Sequence, residues 1–251
     1  MFFSIIIPTY NNIKLLKCAL DSCKKQSFKD FEVIVVDDSS NDDIETYMAK
    51  TSIPWLSYYR NRPALGAAKN WNYGLTLAEG DHIMLLHHDE SMQSEHFLTS
   101  LFKAFRPQID VVVSNIYVEG RRQRRLLHHV LTPWLLHFPS TLFFCNFIGP
   151  CACLCFRKKQ LRFFNETLRW AIDYEWYYRM LQNRRVVYLR NNYIYSHHGH
   201  KDQITNTIDI QKTALEDNKI LRKEYLSNGH IRAFIWLGTS LRRLLKTVRQ
   251  K

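Results

Sequence analysis

The chain has 251 residues, 46% of them hydrophobic, and its 35 lysines and arginines against 23 acidic residues give a formal charge of +12. That length and apolar content exclude a disordered chain and support one large domain, or a core domain with an appendage. The charge calls for an anionic partner, such as nucleotide phosphates, nucleic acid or an acidic membrane surface, and no apolar run reaches the ~20 residues of a membrane-spanning helix.

Phe2 to Ile7 meets Pro8 without a basic leader, so no secretory signal is expected and the expected location is cytoplasmic. Ser4 to Pro8 reads as a first buried strand, after which Ile13, Leu16, Leu20 and Cys23 recur at helical spacing. Phe31 to Val36 is a second strand, stopped by Asp37-Asp38-Ser39-Ser40-Asn41. A short strand at Leu56 to Tyr59, a turn at Asn61-Arg62-Pro63 and a helix from Leu65 to Ala78 lead to the strand His82 to His87. This alternation predicts a parallel sheet with helices on both faces and functional groups at the carboxyl ends of its strands.

Beyond it the spacing predicts a helix near Ser94 to Phe105 and a strand over Asp110 to Tyr117. The basic run Arg121 to Arg125 is either a solvated loop or an anion or membrane contact. Leu126 to Pro150, apolar and aromatic with three prolines, reads as a loop or broken helix covering a pocket. Cys151, Cys153 and Cys155 alternate as on a strand, where the outer two would lie about 13 Å apart, too far to share one zinc ion. Asp173 to Leu181 reads as a helix, and Val186 to Leu189 and Tyr193 to Ser196 as strands. A last helix, Ile231 to Val248, puts Phe234, Leu237, Leu241, Leu245 and Val248 on one face, with Arg242, Arg243, Lys246 and Arg249 largely on the other. Such a helix packs on a core or rests on anionic lipid.

Three strand ends border one crevice: Pro8-Thr9-Tyr10-Asn11-Asn12, Asp37-Asp38-Ser39-Ser40 and His87-His88-Asp89-Glu90. A carboxylate at Asp38 can accept from a base imino N–H or from ribose hydroxyls, and Tyr10 offers a flat surface to a base. The same Asp, Ser and Asn residues also suit ordinary turn and cap chemistry. The oxygen and nitrogen ligands after the fourth strand suit a hard divalent cation.

The order of these pieces resembles glycosyltransferase family 2, the inverting nucleotide-sugar transferases of GT-A fold. Ile5-Ile6-Ile7-Pro8-Thr9-Tyr10-Asn11 is similar to the family's opening strand, and Val35-Val36-Asp37-Asp38-Ser39-Ser40 to its uracil-binding turn. Gly66-Ala67-Ala68-Lys69-Asn70 resembles its Gly-x-x-x-Arg-Asn helix start, and the stretch from Asn146-Phe147-Ile148-Gly149-Pro150 to Phe156-Arg157 its entry into the acceptor half. The likeness covers nearly the whole chain.

The resemblance implies an α/β, Rossmann-like GT-A fold with a mixed, mostly parallel sheet flanked by helices. It divides the chain into a nucleotide-sugar-binding half (1–90), an acceptor-binding and catalytic half (91–205) and a basic C-terminal helical extension (206–251). The implied reaction is inverting transfer from a nucleotide sugar, expected to be a UDP-sugar, to a hydroxyl of a saccharide or lipid-linked saccharide in cell-surface polysaccharide synthesis. An enzyme of that kind would sit in the cytoplasm or on the inner face of its membrane.

Implied donor contacts are Pro8, Thr9, Tyr10, Asp38, Gly66, Lys69 and His88, with Arg62 a further candidate for the phosphates. Lys69 stands for an arginine and offers a point charge in place of a planar fork. His87-His88-Asp89 occupies the Asp-x-Asp position, so Asp89, His87 and, from the cluster His197, His198 and His200, His198 are the implied ligands of Mn²⁺ or Mg²⁺. Asp173 matches the acidic base, although Ile172 replaces the preceding glutamate, and an N-cap role is its structural alternative. Glu175 and Arg179 are expected to pair at i, i+4. Two rivals are a nucleotide-sugar-binding protein without transferase activity, suggested by His87 and Ile172, and a nucleic-acid-binding protein, which no accompanying motif supports.

Overall fold

The computed structural model describes residues 1–119, 126–197 and 209–249, with the side chains of 126–129 and 241–249 outside the description. The expected roles of Arg121 to Arg125, His198 and His200, and of the side chains of Leu241, Arg242, Arg243, Leu245, Lys246, Val248 and Arg249, therefore lie outside the described residues.

Branched apolar runs build the first half. β1 (Phe3–Thr9) is buried at every position, and β2 (Phe31–Asp37) at all but Glu32. Such strands are covered on both faces, as a parallel sheet requires. β3 (Leu56–Arg60) and β4 (His82–Leu85) run parallel to them, and the intervening helices are α1 (Ile13–Lys24), α2 (Asp43–Ala49) and α3 (Ala67–Leu77). The Asn12 side chain caps α1 by accepting the Leu15 N–H at 3.1 Å. Gly74 lets α3 lie close on the sheet: a Cβ there would meet the Ile6 side chain at 2.4 Å.

The eight-stranded sheet has the order β3-β2-β1-β4-β7-β6-β8-β5, completed by β5 (Glu90–Met92), β6 (Val111–Val118), β7 (Leu154–Arg157) and β8 (Val186–Ser196). β7 is antiparallel to both neighbours, and β5 is antiparallel to β8, so the sheet is mixed. α4 (Phe97–Ala104) covers part of this half.

Two local expectations are corrected. Cys151 to Cys153 form a 3-10 turn and only Cys155 lies on β7, so the three cysteines share no strand face. The expected pair of strands at Val186 and Tyr193 is one strand with a bulge. The register along β6 jumps from Ser114↔Leu189 to Asn115↔Tyr193, and the displaced loop is held by Asn115 Nδ2 donating to Arg190 O at 2.9 Å.

The proline-rich stretch is a broken helix, as its composition suggests: α5 (Leu126–Leu135) contains Pro133 and gives way to a 3-10 turn at Pro139–Phe143. α6 (Ile172–Leu181) follows, then α7 (Ile210–Glu224) and α8 (Gly229–Arg249). Leu221, Ile231 and Ile235 join the same buried cluster as Phe3 and Trp176, so the C-terminal helices pack on the core. Among the described residues no helix is long and apolar enough to cross a membrane.

Candidate active site

Register brings the first three loops together. Thr9 at the end of β1 pairs with Asp37 at the end of β2, and the Asp38 N–H donates to Thr9 O at 3.1 Å. After β4 the chain continues beside β1, where the His88 N–H donates to Pro8 O at 3.3 Å and its Nδ1 lies 3.3 Å from the same oxygen. Pro8, Thr9, Asp38 and His88 therefore adjoin at one end of the sheet. Thr9 is buried with its hydroxyl unpartnered among the described residues, while the Tyr10 ring beside it is 44% exposed.

Asp38 is engaged from the next loop. Its carboxylate accepts the N–H groups of Leu65 and Gly66, each at 2.7 Å, and Nδ2 of Asn61 at 3.1 Å. Gly66 precedes α3 with φ +85°, a left-handed conformation that side chains rarely adopt. Lys69 is exposed on the first turn of α3. Arg62 is held differently from expectation, in ion pairs with Asp42 and Glu45 next to and on α2. Arg60, which the sequence did not single out, donates to Ser39 O at 3.1 Å and Asn41 O at 2.7 Å and so ties β3 to the loop after β2.

The fourth loop supplies a candidate ligand set. An atom of His87, of Asp89 and of Glu90 can come within 4.8 Å of one another, the one such group among the described residues. The sequence places Glu90 in this strand-end cluster without singling it out as a ligand. Burial disfavours the His87 imidazolium, but Glu90, and beyond it Asp89 and Asp173, more than offset this and push its pKa up to about 9. Burial likewise pushes the Glu90 carboxyl up, opposed by His87. The His87 Nε2 is buried without a hydrogen-bond partner among the described residues. One imidazole and two carboxylates fit Mn²⁺ or Mg²⁺, the imidazole suiting manganese better.

Asp173 lies on the first turn of α6, whose N-cap is Ala171, so Asp173 is not the cap. Its Oδ1 accepts the Cys151 S–H at 3.6 Å. Burial raises the Asp173 carboxyl above its usual range, and the charge of His87 pulls it back, which places the two groups in one electrostatic field. Cys151 feels both Asp173 and Glu90, and burial keeps its thiol neutral.

α6 is braced from the C-terminal helices. Asp217 on α7, itself buried, accepts the N–H groups of Trp170 and Ala171 at 2.7 Å each and of Arg169 at 3.1 Å. The expected Glu175 and Arg179 pair is present and bidentate, at 2.6 and 2.8 Å, and the Tyr225 hydroxyl donates to the same glutamate at 2.7 Å. His198 lies outside the described residues; its neighbour His197 donates its backbone N–H to Asp89 O at 2.8 Å.

The family model described as Glycosyl transferase family 2 matches residues 4–168. An uncharacterised glycosyltransferase of Rickettsia typhi is 28% identical over 227 residues, covering 81% of this chain and 66% of its own length. The chain thus spans just under two thirds of that relative. The GalNAc(5)-diNAcBac-PP-undecaprenol beta-1,3-glucosyltransferase of Campylobacter jejuni is 35% identical over 104 residues, 40% of this chain and 34% of that protein. Among solved structures, Staphylococcus aureus TarS 1-349 in complex with UDP-GlcNAc superposes with a TM-score of 0.70 at 20% identity, over 94% of this chain and 70% of that one. The shared architecture is the GT-A fold expected from the sequence.

Proposed function

The chain belongs to glycosyltransferase family 2, and from that premise we propose that it moves a sugar from a UDP-sugar to a hydroxyl of a saccharide or lipid-linked saccharide, inverting the anomeric centre. The observation that carries this reading is the grouping of His87, Asp89 and Glu90 at the carboxyl end of the sheet, within the electrostatic reach of the half-buried Asp173.

Asp173 is the general base. It takes the proton from the acceptor hydroxyl as that oxygen bonds to the anomeric carbon, while the bond to the nucleoside diphosphate breaks on the opposite face. Burial supports this role, because a carboxylate lifted toward neutrality is the stronger base. The Asp217 grip on residues 169–171 fixes the start of α6 and hence the aim of Asp173.

On the donor side, the exposed Tyr10 ring faces the base, carried by Pro8 and Thr9 at the end of β1. Asp38 shapes the loop at Gly66 and keeps acceptor capacity on Oδ2 for the nucleoside. Lys69 gives a positive charge to the phosphates, and His88 joins the first and fourth loops beneath them. His87, Asp89 and Glu90, with His198 as a further ligand, would hold Mn²⁺ or Mg²⁺, which when bound neutralises charge on the diphosphate leaving group.

The UDP-GlcNAc complex of TarS supports a uridine donor, and the undecaprenol-linked substrate of the Campylobacter relative supports a lipid-linked acceptor. The charge of +12 favours work at an anionic inner membrane face in cell-surface polysaccharide synthesis. Release of nucleoside diphosphate from a panel of nucleotide sugars with Mn²⁺ or Mg²⁺ tests the reading. Binding of a donor without turnover under either metal would favour the nucleotide-sugar-binding alternative.

A further inference from the structure

A cavity of about 470 Å³ lies at the end of α6 away from Asp173, lined by the turn after α5, the segment from α6 into β8, and the α7–α8 connection. None of its lining residues is acidic. Its polar lining includes Arg184, His137, His230, Asn183 and Ser140, together with Gln182 and Asn228, whose amides donate to the Tyr178 hydroxyl. The Arg184 Nε is buried with no hydrogen-bond partner among the described residues.

Beside this cavity runs an apolar strip. Val130, Trp134 and Phe138 recur every four residues and are 51%, 70% and 60% exposed, and Phe138 also lines the cavity. On α8, His230 lines the cavity and Leu237, seven residues on and so on the same helix face, is exposed next to an exposed Trp236. Soluble surfaces rarely leave aligned tryptophan and phenylalanine this open without a partner. Tryptophan favours the layer between lipid chains and water, and a donor-rich pocket without carboxylates suits a phosphate.

We propose that this face docks on an anionic phospholipid bilayer, with a headgroup phosphate in the cavity at Arg184 and with Trp134 and Phe138 in the interfacial layer. The inference deepens the membrane-side reading given above, but binding to lipid is read without any sugar transfer, so the two can fail separately.

The test is co-sedimentation of the full chain with phosphatidylcholine vesicles, with and without phosphatidylglycerol, together with tryptophan emission. The wild type binds only the anionic vesicles and its emission shifts to the blue. Arg184→Gln and Trp134→Ser, both folded by circular dichroism, each lower the partition coefficient about tenfold or more. Three results would overturn the proposal. One is no binding to anionic vesicles, including the case where free glycerol phosphate alone raises the melting temperature. Another is binding unmoved by either substitution, which assigns adhesion to another surface. The third is a dimer by light scattering that Trp134→Ser converts to a monomer while vesicle binding persists.

Discussion

Glu90 holds His87 at two points: its Oε2 accepts the His87 backbone N–H at 2.9 Å and lies 3.5 Å from Nδ1 of the same residue. The imidazole is thereby fixed beside Asp89, and the glutamate itself belongs to the candidate ligand group. Where the sequence has histidine in place of an aspartate, the fold returns a carboxylate from the next residue but two.

Replacing Glu90 with glutamine keeps the shape and removes the charge. Mn²⁺ affinity, measured by titration calorimetry in the presence of UDP, should fall by about 10–100-fold, the range found when metal sites lose a supporting ligand. An unchanged affinity would remove Glu90 from the cation site.

Asp217 carries three backbone amides on one buried carboxylate. Asp217→Ala leaves those donors unanswered and should cost about 2–4 kcal/mol in urea unfolding, since hydrogen bonds to a charged acceptor are the costly ones to lose. In Asp217→Asn, which keeps part of the acceptor, kcat should fall more than donor KM rises, because the damage reaches α6 and Asp173 but not the donor loops. An equal effect on both would make the residue merely structural.

Much of this was legible in the sequence. Uninterrupted apolar strands followed by Asp38 and by His87 to Asp89 announced the sheet and the edge that carries the candidate site, because periodicity and strand-end chemistry are local signals. What escaped was long-range. Asp217 meets Ala171 across 46 positions, and nothing in a polar helix advertises that contact. Glu90 is local, but nothing in the run His87 to Glu90 says which carboxylate turns back onto His87. Arg62 looked available to a phosphate until α2 supplied Asp42 and Glu45, and alternating cysteines imitated a strand where a 3-10 turn precedes β7.

Gly66 has φ +85° and open space where a side chain would go, so the cost of substitution is conformational. Gly66→Ala should lose about 1–3 kcal/mol, the cost of a positive-φ, extended-ψ backbone that is essentially open only to glycine, and should loosen the Asp38 grip so that UDP affinity drops. Urea unfolding and UDP calorimetry read the two effects, and a variant as stable as wild type would refute the backbone argument.

His82 is buried among Phe2, Phe3 and Phe105, with Nδ1 3.3 Å from Phe2 O. Burial, aided by the charge of Arg157, lowers its pKa from 6.5 to about 4. The folded state therefore prefers neutral histidine: this contribution is fully present above pH 6.5 and is lost as pH falls toward 4. Between neutral pH and about pH 4.5 the wild type should lose about 2 kcal/mol that His82→Gln does not, measured by urea unfolding at each pH. Parallel pH profiles would contradict the shift.

The account rests on Asp173 as the proton acceptor, and the most direct measurement is single-turnover sugar transfer by Asp173→Asn with the donor identified from the nucleotide-sugar panel. The expected result is a rate lower by about 10²–10⁴-fold with UDP affinity in Mn²⁺ unchanged. A folded Asp173→Asn protein that transfers sugar at the wild-type rate would contradict it.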